Sequence, residues 1–474
     1  MAKGLIWFRA DLRLDDNPAV NAALSECDEV LAIYIFSHSQ WEIHNESNIK
    51  HEFLKNNLIL LKESLESFGI SLIAINTESY KTLPKDLCSI AVEQKIDHVF
   101  WNNEFGFNET IRDKNSLEFL KKNNIQSSSF HDQVIYPPGF LKTGQGNPFS
   151  VFTPYKRRWV ENFDMNFLDI VEISKPKRPS SIHSDLSALK FVKTHSANID
   201  IWPAGESAAQ EKLTNFLQSK ADSYSESRNS PIVDGTSRIS PYLALGILSP
   251  KRCILEGLKL NNFEFTSGNK GICKWIDEII WREFYRNIMH SFPKVSMSQP
   301  FQDYTKSIQW RHSSEELEAF YAGRTGFPIV DAGIRQMLAE GWMHNRLRMV
   351  VAMFFTKNML HDWRLGEKFF MQNLIDGDFS SNNGGWQWSS STGTDAAPYF
   401  RIFNPITQSQ NFDPKGEFIK KFIPELEDVP VAQIHQPKSD LFSSTNYPAP
   451  MLDLKESRLR AIQAFKDARE NTSI

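Results

Sequence analysis

What the chain lacks narrows its chemistry first. Its four cysteines (Cys27, Cys88, Cys253 and Cys273) never fall in CxxC spacing, which argues against a disulfide scaffold and for reduced core residues in a cytosolic protein. HExxH is absent, as is any His/Cys cluster with metal-ligand spacing, so no metal is expected. No Ser, Cys or Lys nucleophile sits beside a base in a recognisable pairing. No GxGxxG follows a strand-like run: Gly144-Gln-Gly146 lacks the third glycine and lies in a loop, and there is no P-loop lysine motif. These absences argue against an ordinary dinucleotide fold or NTPase. The apolar runs Val30 to Phe36 and Met349 to Phe355 fall far short of a membrane span. The opening residues from Met1 to Arg9 hold no adequate signal-peptide core, so a cytoplasmic protein without membrane association is expected. A net charge of −4 argues against a general nucleic-acid coat protein. It leaves room for a local basic patch, because steering depends on where charge lies.

What remains is a folded chain of 474 residues that is rich in aromatics, with 12 Trp and 35 Phe. Residues 1–130 alternate between two textures. Gly4 to Phe8, Val30 to Phe36, Ser71 to Asn76 and His98 to Asn102 are short apolar runs of strand type. His51 to Gly69, Leu83 to Gln94 and Glu109 to Asn123 carry helical spacing, clearest in Phe53, Leu54, Leu58, Leu61 and Leu65. Strands separated by helices imply βαβ units, a doubly wound parallel sheet and ligands at the strands' carboxyl ends. Residues 131–205, rich in Pro and Ser, read as a connector laid over the surface. From 206 to 474 the signal is mainly helical, giving a second domain of all-α type. The expected fold is thus α/β plus all-α. No tandem repeat is visible.

The stretch from Asp376 to Trp388 organises the second domain. It packs two aspartates, two asparagines, three glycines and two tryptophans together. As a solvent loop it would leave two indoles in water; as a helix it is opposed by consecutive Asn and Gly. It reads as backbone folded tightly around a large planar guest. Three further groups accompany it. Gly235-Thr236-Ser237-Arg238-Ile239-Ser240-Pro241 suits an anion cradle at a helix start, with an ordinary N-cap as the alternative. Trp275, Glu278, Trp281, Arg282 and Tyr285 share roughly a 120° arc of one helix, too polar for core and too aromatic for a solvated face. A Glu278–Arg282 salt bridge is the bland alternative. In Gly341 to Met349, residues Asn345, Arg348 and Met349 share a face while Arg346 points elsewhere, towards a phosphate backbone. None of these groups contains a nucleophile with its base, so catalytic power must come from a cofactor.

These motifs resemble the photolyase/cryptochrome family, closest to its bacterial class I cyclobutane pyrimidine dimer photolyases. The likeness runs from Leu5-Ile-Trp-Phe-Arg-Ala-Asp-Leu-Arg through Trp281-Arg-Glu-Phe-Tyr-Arg and Gly341-Trp-Met-His-Asn-Arg-Leu-Arg-Met to Asn382-Asn-Gly-Gly-Trp-Gln-Trp and Tyr399-Phe-Arg. It implies an antenna domain followed by a helical domain that binds FAD folded into a U. By motif, Tyr224, Thr236, Ser237, Arg238, Ile239, Ser240, Trp275, Glu278, Arg282, Asn345, Arg348, Asp376, Gly377, Asp378 and Asn382 would form the FAD site. The resemblance also implies the reaction: light-excited reduced FAD passes an electron to a flipped-out pyrimidine dimer, the ring splits, and the electron returns. A lesion already weakly paired is the cheaper one to flip. Trp281 and Trp388 would wall the dimer, with Glu278, Asn345 and Met349 as the pocket floor. Glu278 and Asn382 would act at the chemistry. Arg228, Arg346 and Arg401 would hold flanking phosphates of UV-damaged DNA. Trp386, Trp363 and Trp310 match the family's electron-relay tryptophans, which without the resemblance would read as core.

For the antenna, His44, Asn108 and Glu109 match positions used by folate-binding members. A Cys-Lys pair that some of those members use appears here as Ser296-Met297. The expectation is 5,10-methenyltetrahydrofolate, with a deazaflavin or an empty site as the alternatives. A monomer is expected. A light-signalling cryptochrome shares the scaffold, but two features favour repair. Asn345 and Met349 stand where histidines mark other branches of the family, and the sequence stops soon after a final helical segment (Leu452 to Arg469).

Overall fold

The computed structural model describes residues 2–170, 173–192, 197–437 and 446–471. Every residue named above as a candidate for the site lies within them. The chain forms two compact units that do not follow sequence order. One comprises Met1–Asp222, Ser237–Pro293 and Ile375–Ser380; the other comprises Ser223–Thr236, Lys294–Leu374 and Ser381–Ile474.

The first unit contains a five-stranded parallel sheet: β1 (Lys3–Phe8), β2 (Glu29–Ser37), β3 (Ser71–Thr77), β4 (His98–Asn102) and β5 (Gln126–Phe130), in the order β3-β2-β1-β4-β5. Leu5 pairs with Leu31 on one side and with Val99 on the other. The winding reverses between β1 and β4, so the ligand-facing crevice of such a sheet lies beyond Phe8 and Asn102. Trp7, Leu31, Ile33, Val99 and Trp101 pack with Leu83, Leu87 and Leu120 into one buried face. Four strands follow the apolar runs of the sequence. The fifth, Gln-Ser-Ser-Ser-Phe, has almost no apolar signal, because it is an edge strand paired only with β4 and not fully buried.

After β5 the described residues form no further strand, and helices dominate. The stretch 131–205 is not simply a surface connector. Phe152–Glu161 is a helix that buries Phe152, Tyr155 and Trp159, and Val134, Ile135 and Tyr136 are buried as well. One carboxylate ties these segments together. Glu283, buried in the helix Lys270–Ser291, accepts from the backbone N–H of Ile135 and Tyr136, the Tyr155 hydroxyl and Trp159 Nε1. Burial pushes its carboxyl up to about 6, and the four donors work against that shift. Proline and glycine counts along this stretch could not reveal a partner so distant in sequence.

Candidate flavin and DNA site

In the first unit the site is built on the Lys270–Ser291 helix, whose N-cap Asn269 accepts from Gly271 N and Ile272 N. Trp275 is buried and donates from Nε1 to Ser237 Oγ at 3.3 Å, tying the helix to the Thr236–Ser240 turn. Arg238 in that turn has φ +50°, a backbone region that L residues adopt rarely. Ser240 and Ile239 lead into a helix of one turn only, Ser240–Ala244. Aligned peptide dipoles add little over one turn, so the turn's own N–H groups, more than a helix dipole, would meet a phosphate.

The Glu278–Arg282 salt bridge does not form. Arg282 donates instead to the carbonyls of Gln133 (2.6 Å) and Leu243 (3.0 Å). Burial, then the neighbouring Arg286, pushes its guanidinium down to about 9, with Asp378 opposing. Glu278 lies 3.8 Å from Lys274 Nζ. Trp281 stacks on Phe152 with ring centroids 3.7 Å apart and planes at 9°. Asp376 is buried, and the Gly377 carbonyl accepts from Lys50 Nζ at 2.9 Å. Asp378 is paired with Arg286, Nη2 to Oδ2 at 2.5 Å. Phe152 and Lys50 lie outside every motif, and Arg286, which closes the Trp281-Arg-Glu-Phe-Tyr-Arg string, carries no role that the string itself discloses.

The expectation that Asp376 to Trp388 avoids helix is wrong, since Phe379–Ser390 is an α-helix. Two glycines cost such a helix on the order of 2 kcal/mol against alanine, and packing within the second unit outweighs them. Asn383 Nδ2 donates to Glu367 Oε1 (2.8 Å), and Gln387 Nε2 donates to Asn383 Oδ1 (3.0 Å). Gln387 Oε1 in turn accepts from Phe301 N (2.9 Å). Trp386 is buried on Gly366, where an added Cβ would come within 2.1 Å of its ring, and packs edge-on against Phe370 and Phe355. Residues 383, 386 and 387 share one helical face, and that face is anchored along its length. Asn382 Nδ2 donates to the Glu367 carbonyl at 3.0 Å, leaving its Oδ1 as the acceptor.

Trp363 and Trp386 belong to one buried aromatic cluster, and half-buried Trp310 packs against it. The Arg364 guanidinium lies 4.9 Å over the Trp363 ring and is paired with Asp362. Elsewhere in this unit Tyr224 is buried, with Arg228 5.3 Å from its ring. Thr236 is half-buried. His344 caps the Asn345–Met353 helix, accepting from Arg346 N. Asn345 is exposed, Met349 and Trp388 are half-buried, and Arg348 Nε donates to Met343 O at 2.8 Å. Arg346 donates to Asn229; burial, followed by the charges of Arg228 and Arg401, lowers its proton affinity. Those three arginines are thus electrostatic neighbours.

Near the sheet's carboxyl edge, His44 and Glu109 approach to 3.8 Å, with Gln40 Nε2 at 2.7 Å from His44 Nε2 and 3.5 Å from Glu109 Oε1. His44 stacks on Phe379. Burial raises the Glu109 carboxyl, and its Oε2 is buried without a hydrogen-bond partner. Asn108 is half-buried one residue away, with no hydrogen bond to either among the described residues.

Glu367 yields a pH prediction. Burial pushes its carboxyl up to about 7 from an ordinary 4.5, while Asn383 and Arg364 act to lower it and Asp362 to raise it. A carboxyl raised in the fold binds its proton more tightly there than in the unfolded chain. Stability therefore falls as pH rises from about 4.5 through 7, by on the order of 3 kcal/mol. Glu367→Gln removes the titration. Its melting temperature is expected to exceed that of the parent by several degrees at pH 8 and to match it near pH 5, as read by thermal unfolding across pH.

Two family models match the chain: DNA photolyase over residues 4–178, and the FAD binding domain of DNA photolyase over residues 275–467. The deoxyribodipyrimidine photo-lyase of Escherichia coli (strain K12) is 40% identical over 474 residues, covering 99% of this chain and 100% of that protein. A bacterial class III photolyase from Agrobacterium tumefaciens superposes with a TM-score of 0.90 at 32% identity, covering 99% of this chain and 98% of its own. A cryptochrome from Synechocystis sp. PCC6803 gives a TM-score of 0.85 at 26% identity, covering 98% and 99%.

Proposed function

The chain belongs to the DNA photolyase family, and from that membership we propose how its residues share the work of light-dependent repair. It is an FAD-binding enzyme that acts on UV-damaged DNA, and the signalling alternative is not favoured. FAD, when bound and reduced, would supply the light-excited electron for opening a cyclobutane pyrimidine dimer, with no net redox change.

The donor set fits that cofactor. A turn of N–H groups with hydroxyls (Thr236, Ser237, Ser240) and Arg238 suits a diphosphate. By the family's motifs, Tyr224, Ile239, Trp275, Asn345 and Gly377 would also contribute to binding it. Asp376 and Asp378 would offer acceptors to ring N–H groups, Asp378 being paired with Arg286. Arg282 and Arg348 supply positive charge for the anionic reduced ring. Asn382, its Nδ2 engaged by Glu367 O, keeps Oδ1 as an acceptor that would suit a ring nitrogen carrying a proton in the reduced state.

The observation that carries the repair reading is the stacked Trp281–Phe152 platform on the helix that also bears Glu278. A platform of this kind takes up an extruded pyrimidine pair by stacking. By the family's motifs, Trp388, Glu278, Asn345 and Met349 would also serve the lesion, and Arg228, Arg346 and Arg401 its flanking phosphates. Glu278 would hydrogen-bond the dimer while its ring opens. A folate antenna, 5,10-methenyltetrahydrofolate, is proposed at His44, Asn108 and Glu109, since the unpartnered Glu109 Oε2 suits the amide edge of a pterin. The active form is proposed to be a cytoplasmic monomer.

Purified protein with reduced FAD, given DNA holding one thymine cyclobutane dimer, is expected to restore the thymines in blue light and not in the dark. Absence of light-dependent repair would sink the reading. Repair confined to a (6-4) lesion would redirect it.

A further inference from the structure

We propose that Asn229 and Phe412 are positioning residues for the Arg346 phosphate contact, holding its guanidinium in one orientation before DNA arrives. The proposal rests on the reading of Arg346 given above and deepens it.

Arg346 is the second residue of the Asn345–Met353 helix and is half-buried. Two of its donors are committed to one oxygen: Nε lies 3.3 Å and Nη2 2.8 Å from Asn229 Oδ1. Its guanidinium carbon lies 4.4 Å from the centroid of the Phe412 ring. The acceptor fixes rotation within the plane of the fork, and the ring fixes the tilt of that plane. Neither neighbour carries charge, so the full positive charge remains for an incoming anion. The opposite arrangement occurs elsewhere in this unit. Arg335 is paired with Glu425 and Arg311 with Glu316, which neutralises both. The groups facing Arg346 electrostatically are Arg228 and Arg401, both cationic. A guanidinium desolvated, left unneutralised and set beside two like charges is costly to keep, and an anion bridging the cluster relieves that cost.

The physical gain is pre-ordering. An arginine side chain that is mobile before binding loses rotamer freedom when a phosphate immobilises it, and that loss weakens binding. Held by Asn229 and Phe412, Arg346 has already lost that freedom. Asn229 itself lies beyond the Tyr224–Ser227 helix and Phe412 ends the Pro405–Phe412 helix. Three separate segments thus meet at one side chain, which no spacing rule in the sequence would reveal.

The test measures dark binding of the FAD-loaded enzyme to a labelled duplex containing one thymine dimer, across a salt series. Asn229→Ala is expected to weaken binding about three- to tenfold with an unchanged slope of log affinity against log salt, because no charge is lost. Arg346→Ala should weaken binding and also reduce that slope by about 0.9, the contribution of one phosphate contact. In the Arg346→Ala background, Asn229→Ala should have no further effect, since it acts only through the arginine. Phe412→Leu provides an independent variant and should behave as Asn229→Ala does. Full effect of Asn229→Ala in the Arg346→Ala background, or none in the parent, overturns the positioning role while the phosphate reading stands. Parent-like binding and slope in Arg346→Ala would overturn both.

Discussion

Trp386→Phe is expected to slow photoreduction of oxidised FAD by more than about a hundredfold, while enzyme reduced beforehand repairs dimers normally. A phenyl ring is harder to oxidise than an indole by several hundred millivolts, and each ~59 mV is a factor of ten for a one-electron step. The relay reading makes Trp386 the first donor, so the substitution removes the step that every later one depends on. Its surroundings suit the task. The indole is buried, and its Nε1 has no hydrogen-bond acceptor. An oxidised Trp386 therefore has no neighbour to take its proton, and refilling by an electron from Trp363 is its open route. Trp310, half-buried against the same cluster, is placed to be refilled from outside. The check is flavin absorbance under illumination with an external reductant, beside repair yield after chemical reduction. Equal loss of both activities would show that Trp386 serves repair or folding. Flavin content distinguishes the latter, since the smaller ring leaves a gap over Gly366.

The sequence disclosed what is periodic and what is a motif. The four apolar strands, their helices and the helical second half follow directly from apolar spacing. The residues proposed for the site lie where short strings concentrated polar and aromatic groups. What stayed hidden has one physical character: it depends on partners far apart in the chain. The polar strand β5 forms because β4 offers it an edge. The Asn-Gly run becomes helix because Glu367, Phe301 and Gly366 anchor one face of it. Arg282 binds two backbone carbonyls in place of the carboxylate one turn away. Lys50 reaches Gly377 across 327 residues of sequence. Residues such as Phe152, Asn229 and Phe412 are chemically ordinary, and only their neighbours give them a part to play.

Trp281→Ala carries the second large expectation, and it separates damage recognition from general DNA affinity. Stacking of one base on an aromatic ring contributes about 1–3 kcal/mol by alanine substitution. Loss of the indole should therefore weaken binding of dimer-containing DNA by roughly ten- to a hundredfold. Undamaged duplex, which presents no extruded base and is held through its phosphates, should bind as before, with the same salt dependence. The stacked Phe152 makes the expectation sharper. Its ring is parallel to Trp281 at 3.7 Å, and Phe284 meets the indole edge-on. The platform is thus fixed from behind and cannot swing away when a lesion arrives. Phe152→Leu keeps the apolar volume but loses the parallel ring. It should show a smaller loss of the same kind, confined to damaged DNA. Binding isotherms for both duplexes with each variant settle the matter. Equal weakening on damaged and undamaged DNA would mean that Trp281 supports the fold of the binding surface, and lesion recognition would then have to rest on Trp388.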